Sequence, residues 1–122
     1  MFSFSKIERL CSKIAIDDLF SSGKSITQYP IKLIYKQVDF ESPFPVRAMF
    51  VVPKKKHKRA NKRNVLKRRM REIYRLNKHE LYESLKENKY NIMFIYLSHE
   101  ENEYLFIKEK MLSLLKQIRE KQ

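Results

Sequence analysis

Residues 54–78 carry thirteen lysines and arginines and a single acid, Glu72. A stretch so charged cannot be buried on all sides, and like charges one turn apart repel on a helix. The segment must stay at the surface, with whatever apolar residues it holds turned to one side. The rest of the 122-residue chain holds fourteen basic and thirteen acidic side chains, so almost all of the net charge of +13 lies in this one segment. Charge localised in this way calls for an anionic partner, either a nucleic acid or an anionic membrane surface.

The run "KRNVLKRRMREIYR" (62–75) supplies the apolar side as well. The spacing predicts a helix over roughly 61–78, continuing through "HELYESLKEN". At about 100° per residue, Arg63, Lys67, Lys78, Arg71, Asn64, Arg75 and Arg68 fall within an arc of about 140°. Val65, Leu66, Met70, Ile73 and Leu76 take a roughly opposite arc, into which Lys62 and Arg69 intrude, their long side chains able to snorkel out. The helix therefore buries one side and presents the other as a cationic rail. Upstream, "KKKHKRANK" (54–62) leads from a strand to the helix N-terminus, itself an anion-binding end. Arginine forks hold phosphate bidentately, and Asn64 can contact a base or a ribose 2′-hydroxyl, so the corner suits folded RNA. A nuclear-localisation signal would be a flexible tail, whereas this segment lies between a strand and an amphipathic helix.

Around this helix the periodicities predict a small single domain spanning 1–122. Residues 12–21 read as a short helix capped by Ser12, with Ala15, Ile16, Leu19 and Phe20 on one face. Gly23, the only glycine, is expected at its C-terminal end with positive φ. Strands are predicted at 24–28, at "IKLIYKQV" (31–38), which alternates Ile31, Leu33 and Tyr35 with Lys32, Ile34 and Lys36, and at "VRAMFVV" (46–52). "YNIMFIYL" (90–97) is apolar on both faces and is expected to be the central strand. Ser98 and Glu101 have capping-box spacing and are expected to open a last helix over about 99–120. The order α-β-β-β-α-β-α implies a mixed sheet with packed helices.

Other function classes find little support. Cys11 is the only cysteine, so no internal disulfide is possible, which fits a reducing, cytoplasmic setting. The N-terminal twenty residues are interrupted by charges and do not resemble a signal peptide. The longest apolar run, Ile92–Leu97, is far too short to span a bilayer. His57, His79 and His99 are dispersed without ligand spacing. Asp17 and Asp18 point about 100° apart on a helix and are expected to be solvated. Glu100, Glu101 and Glu103 suit the N-terminus of the last helix. No glycine-rich phosphate loop or activated nucleophile is evident.

"KRANKRNVLKRRMREIYR" resembles the signature of the bacterial ribonuclease P protein subunit. In that family a strand ending in a lysine pair leads to Arg-Asn, then Lys-Arg, then Arg-Glu. Here these are Lys54 and Lys55, Arg63 and Asn64, Lys67 and Arg68, Arg71 and Glu72. Arg9-Leu10, the Phe20-x-x-Gly23 helix end, the strands and the closing helix also fall in the family's order, so the resemblance covers nearly the whole chain. It implies an αβββαβα α/β fold, a two-layer sandwich of mixed sheet and helices with a left-handed βαβ crossover. It implies a subunit of an endoribonuclease whose catalyst is RNA: the RNA removes the 5′ leader of precursor tRNA using Mg²⁺, and the protein, one per RNA, holds RNA and leader. Carried over by position, Lys54, Lys55, Arg63, Asn64, Lys67, Arg68, Arg71 and Arg75 would bind RNA. Ile16, Phe20, Lys32 and Ile34 would line the leader cleft between the first helix and the sheet, and no protein residue would be catalytic.

The chain departs from the pattern in places. Ile16 and Ile34 stand where aromatics are frequent, Met49 stands where a glycine is common, and Lys56-His57 replace an apolar-glycine pair in a loop one residue longer. The alternative is a ribosomal or other structural RNA-binding protein, which would share the rail without the cleft. A membrane-surface protein using a basic amphipathic helix is disfavoured, because the apolar arc lacks Trp and Phe and is needed for the core.

Overall fold

The computed structural model describes residues 3–121. After a 3₁₀ turn at Lys6–Glu8, the elements are α1 (Lys13–Ser22), β1 (Lys24–Gln28), β2 (Ile31–Gln37), β3 (Val46–Val51), α2 (Ala60–Leu85), β4 (Tyr90–Tyr96) and α3 (Tyr104–Glu120). The four strands form one sheet in the order β1-β2-β4-β3. β1 and β2 form an antiparallel hairpin, β2 pairs antiparallel with β4, and β3 runs parallel to β4. A parallel neighbour needs a crossover connection, and α2 provides it. β4 lies inside the sheet because six of its seven residues are buried, a pattern that only a strand covered on both faces can satisfy.

The two faces of the sheet have different covers. Ile31 and Leu33 of β2, Val46, Ala48 and Phe50 of β3, and Ile92, Phe94 and Tyr96 of β4 pack under α2 and α3. On the opposite face Ile34 and Met93 pack with Leu10 and Leu19, with Met49, Val51 and Ile95 only partly covered. The short helix α1 thus covers part of that face and leaves a strip along β3 and β4 half-exposed.

α2 is one continuous helix of 26 residues. Repulsion between like charges at i, i+4 costs about 0.2–0.5 kcal/mol per pair. Leu66, Met70, Ile73, Leu81 and Leu85 are all fully buried, and each contributes roughly 1.5–3 kcal/mol. Burial wins, so the apolar stripe holds a helix that its charges alone would disfavour. The predicted stripe is narrower than expected: Val65 is half-buried and Leu76 is 40% exposed.

Ser12 caps α1 as predicted, its Oγ accepting from the Ala15 N–H at 3.3 Å. Gly23 ends the helix, but its φ is −75°, not positive. Its role is space. A Cβ there would lie 2.4 Å from the Leu19 carbonyl oxygen and 2.8 Å from Ile34 Cγ2. Gly23→Ala is therefore expected to cost about 1–3 kcal/mol, the usual range for overpacking, read by urea denaturation. An unchanged midpoint would show that the end of α1 can rearrange at no cost.

The last helix starts later than its capping pattern suggests, at Tyr104 with Glu103 as N-cap. Ser98 Oγ instead accepts from the Glu100 N–H at 2.9 Å, within a loop organised by Tyr96. The Tyr96 hydroxyl donates to the Glu100 carbonyl at 2.6 Å and accepts from the Asn102 backbone and side-chain amides at 3.0 and 2.6 Å. This tertiary network outcompetes the local capping box.

Candidate nucleic-acid interface

The rail forms because α2 leaves Asn64, Arg68 and Arg71 exposed and Lys67 half-buried. Among the described residues no carboxylate pairs with Lys54, Lys55, Lys67, Arg68 or Arg71. Their charges remain available to an anion, and the positive N-terminal end of the α2 dipole adds to the same field.

Three predicted rail members have other duties. Arg63 donates from Nη1 to the His57 carbonyl at 3.0 Å and to the Lys58 carbonyl at 2.8 Å, which ties the lysine loop to the start of α2. Arg75 is bound by Glu72, with Nε donating to Oε2 at 3.1 Å. The hydrogen bond and charge of Arg75 hold the Glu72 carboxyl below its ordinary range. Lys78, which the helical wheel places on the rail, is only 3% exposed. The N-terminal segment crosses that end of α2, and Lys78 donates to Glu8 Oε2 and to the Ser3 carbonyl beneath it. Glu8 is fully buried and also accepts from the Tyr82 hydroxyl at 2.6 Å and the Ser5 N–H at 3.0 Å. Burial raises the Glu8 pKa, but the hydrogen bonds from Lys78, Tyr82 and Ser5 outweigh it, and the net shift is downward. The rail thus ends near Arg71 and Arg75, shorter than the sequence pattern implies. Arg69, expected to snorkel into solvent, instead reaches the loop before α3, donating to the Asn102 carbonyl at 2.7 Å and to Glu101 at 3.2 Å.

His57 is a positioning residue that the sequence does not reveal. It lies inside the run "KKKHKR", where charge is the only pattern. It is 7% exposed, its Nε2 lies 2.8 Å from the Ser98 carbonyl, and its ring faces Tyr96. With the backbone N–H groups of Lys56 and His57 both donating to the Pro53 carbonyl, it fixes the turn that displays Lys54 and Lys55.

The predicted cleft residues separate into two groups. Phe20 is 56% exposed on α1, and Ile16 and Lys32 are half-buried. Ile34 is 7% exposed and sealed under α1 against Leu19 and Gly23, so it supports the helix and does not line an open surface. Strand register brings up residues that the sequence alone did not single out: Ile95 lies opposite Lys32, and Val51 opposite Ile95. Both are half-buried and form the floor beside Lys32. The strands β3 and β4 were visible in the sequence, but which strands become neighbours was not.

A rigid cationic helix, a lysine turn at its base and a half-covered sheet face define an α/β protein built to hold a long polyanion, the profile of an RNA-binding domain. Comparison with known proteins narrows this. The ribonuclease P family model matches residues 4–119, and the chain belongs to the ribonuclease P protein family. It is 37% identical over 113 residues to the ribonuclease P protein component of Porphyromonas gingivalis, covering 90% of this chain and 82% of that protein. The corresponding component of Chlorobium phaeobacteroides is 39% identical over 98 residues, 78% of this chain and 67% of that one. The RNase P protein of Thermotoga maritima superposes with a TM-score of 0.70 at 26% identity, covering 89% of this chain and 96% of the other. The Staphylococcus aureus RNase P protein shares the fold, with a TM-score of 0.72 at 19% identity, over 89% and 93% of the two chains.

Proposed function

We propose that this chain is the RNA-holding subunit of a ribonuclease P in which the partner RNA performs the cleavage. The observation that carries the proposal is the set of unpaired cations on one rigid face, displayed on the fold of this family. In this reading Lys54, Lys55, Asn64, Lys67, Arg68 and Arg71 contact the catalytic RNA, and Arg63 and Arg75 set the geometry of the loop and rail as well as adding charge. The 5′ leader of precursor tRNA runs along the half-covered sheet face, past Phe20 and Ile16 on α1 and over Lys32, Ile95 and Val51. With Ile16 at the rim and Ile34 sealed beneath α1, Phe20 is the one aromatic of the proposed leader set. Leader contacts are then mostly apolar and phosphate-directed, with little stacking. Mg²⁺ belongs to the RNA and supplies the charge stabilisation and nucleophile activation of phosphodiester hydrolysis. Among the described residues no group of three or more His, Cys, Asp or Glu side chains is placed to hold a metal ion. Likewise no helix is long and apolar enough to cross a membrane. One protein per RNA in the cytoplasm completes the reading.

Reconstitution tests it. Added to the catalytic RNA of the same organism at low Mg²⁺, the protein is expected to raise precursor-tRNA cleavage strongly, because it supplies cationic charge that the metal otherwise provides. Absence of stimulation would sink the proposal. Crosslinks from Phe20 to ribosomal RNA instead of to a tRNA leader would support a structural RNA-binding role.

A further inference from the structure

On one flank of the rail, Val65, Arg68, Arg69, Glu72 and Tyr104 line an open recess of about 290 Å³. The four α2 residues repeat at three- and four-residue spacing, so they share one stripe. Tyr104, the first residue of α3, closes the far side. The recess differs in character from the rail. Val65 and Tyr104 are half-buried and apolar walls. Arg69 is held back by its bonds to Asn102 and Glu101, so its guanidinium serves as a fixed wall. Glu72 is the only acid among residues 54–78, and its carboxylate is anchored by Arg75. Arg68 stands exposed at the mouth, with no carboxylate partner among the described residues.

A phosphate is a poor occupant, because a carboxylate and apolar walls repel it. The volume lies at the low end for small-ligand sites, enough for one planar ring system. We infer that the recess takes one unstacked nucleobase of the partner RNA: its face on Tyr104, its adjoining phosphate on Arg68, and an amino group of its edge donating to Glu72. Aromatic rings hold extruded bases by stacking, and a carboxylate reads an exocyclic amino group by accepting from it. Adenine, cytosine and guanine carry such a group. The inference rests on the proposal that α2 lies on RNA, and it adds a base-reading point to a face otherwise made of phosphate contacts.

The test uses the full chain and its catalytic RNA. Tyr104→Leu is expected to weaken binding about tenfold, the typical loss of one base–aromatic stack. The slope of log K against log salt should not change, because no charge is lost. Tyr104→Phe should restore the affinity, since stacking needs the ring and not the hydroxyl. Val65→Met, a good helix former that fills the recess without altering charge, should show the same loss as Tyr104→Leu and guards against a folding defect at Tyr104. Base-edge chemical probing should show one nucleotide whose reactivity changes in the parental complex and reverts with Tyr104→Leu. Parental affinity in both Tyr104→Leu and Val65→Met would overturn the inference and leave the proposed function standing. So would a loss accompanied by a slope change of about one, the mark of a phosphate contact. If the parental chain does not bind the RNA, the proposed function fails and the base site with it.

Discussion

Raising monovalent salt from about 50 to 200 mM is expected to weaken the protein–RNA complex by roughly 250- to 1,000-fold. Lys54, Lys55, Arg63, Lys67, Arg68 and Arg71 can neutralise about six phosphates, which gives log K a slope of roughly −4 to −5 against log salt. The magnitude follows from counterion release, not from the strength of any single contact. Arg68→Ala should reduce the slope by about one unit and weaken binding to different RNA sequences almost uniformly. Titrations of the complex at several salt concentrations measure both quantities. A salt-insensitive affinity would remove the rail as the binding surface.

Breaking the Lys78–Glu8 pair is expected to cost about 3–5 kcal/mol, because one charge would be left buried and unpaired. Lys78→Ala would leave the Glu8 carboxylate fully buried without its counter-charge. The double replacement Glu8→Leu with Lys78→Met should recover much of the loss, because a buried pair replaced by apolar groups leaves no stranded charge. Acid pH probes the same pair. Because the folded Glu8 pKa is depressed, its contribution is present above the ordinary carboxylate pKa of about 4.3. It is lost as pH falls through the lower folded value. Glu8→Gln should therefore show a flatter loss of stability in that acid range, read by urea midpoints against pH. Equal acid slopes in the parent and in Glu8→Gln would show that the pair does not couple to folding. The consequence reaches the interface, since the segment pinned by Glu8 carries Arg9 and Leu10 past Lys67 and Arg71.

Strand positions were legible to within a residue because side-chain alternation is a local property. "IKLIYKQV" carries it without help from the rest of the chain, and "YNIMFIYL" carries the equally local signal of an unbroken apolar run. Ser12 was legible as a cap for the same reason. Gly23 was legible as a necessary glycine, but not for its reason: what forbids a side chain is the Leu19 carbonyl one turn back together with Ile34, brought against α1 by the sheet. The start of α3 was misplaced because Tyr96 gathers the loop that Ser98 and Glu101 would otherwise have capped. At the interface, exposure of Asn64, Arg68 and Arg71 followed from the helical period. The burial of Ile34 and the half-exposure of Ile95 and Val51 required knowing where α1 lies.

By itself the sequence determined that one helix must be cationic on one side and apolar on the other, that four strands exist, and that the partner is an anion. Spacing and composition act over a few residues, and those properties need no more. Tertiary structure decided which charges are free to meet that anion. Lys78 and Glu8 are 70 residues apart, Arg69 and Glu101 are 32 apart, and no local periodicity links them. Removing a charge from water is tolerable only when folding delivers its partner to the same place. The chain's long-range packing therefore took Lys78 out of the cationic face, tied Arg69 to the loop before α3, and left Lys67, Arg68 and Arg71 without a carboxylate partner among the described residues.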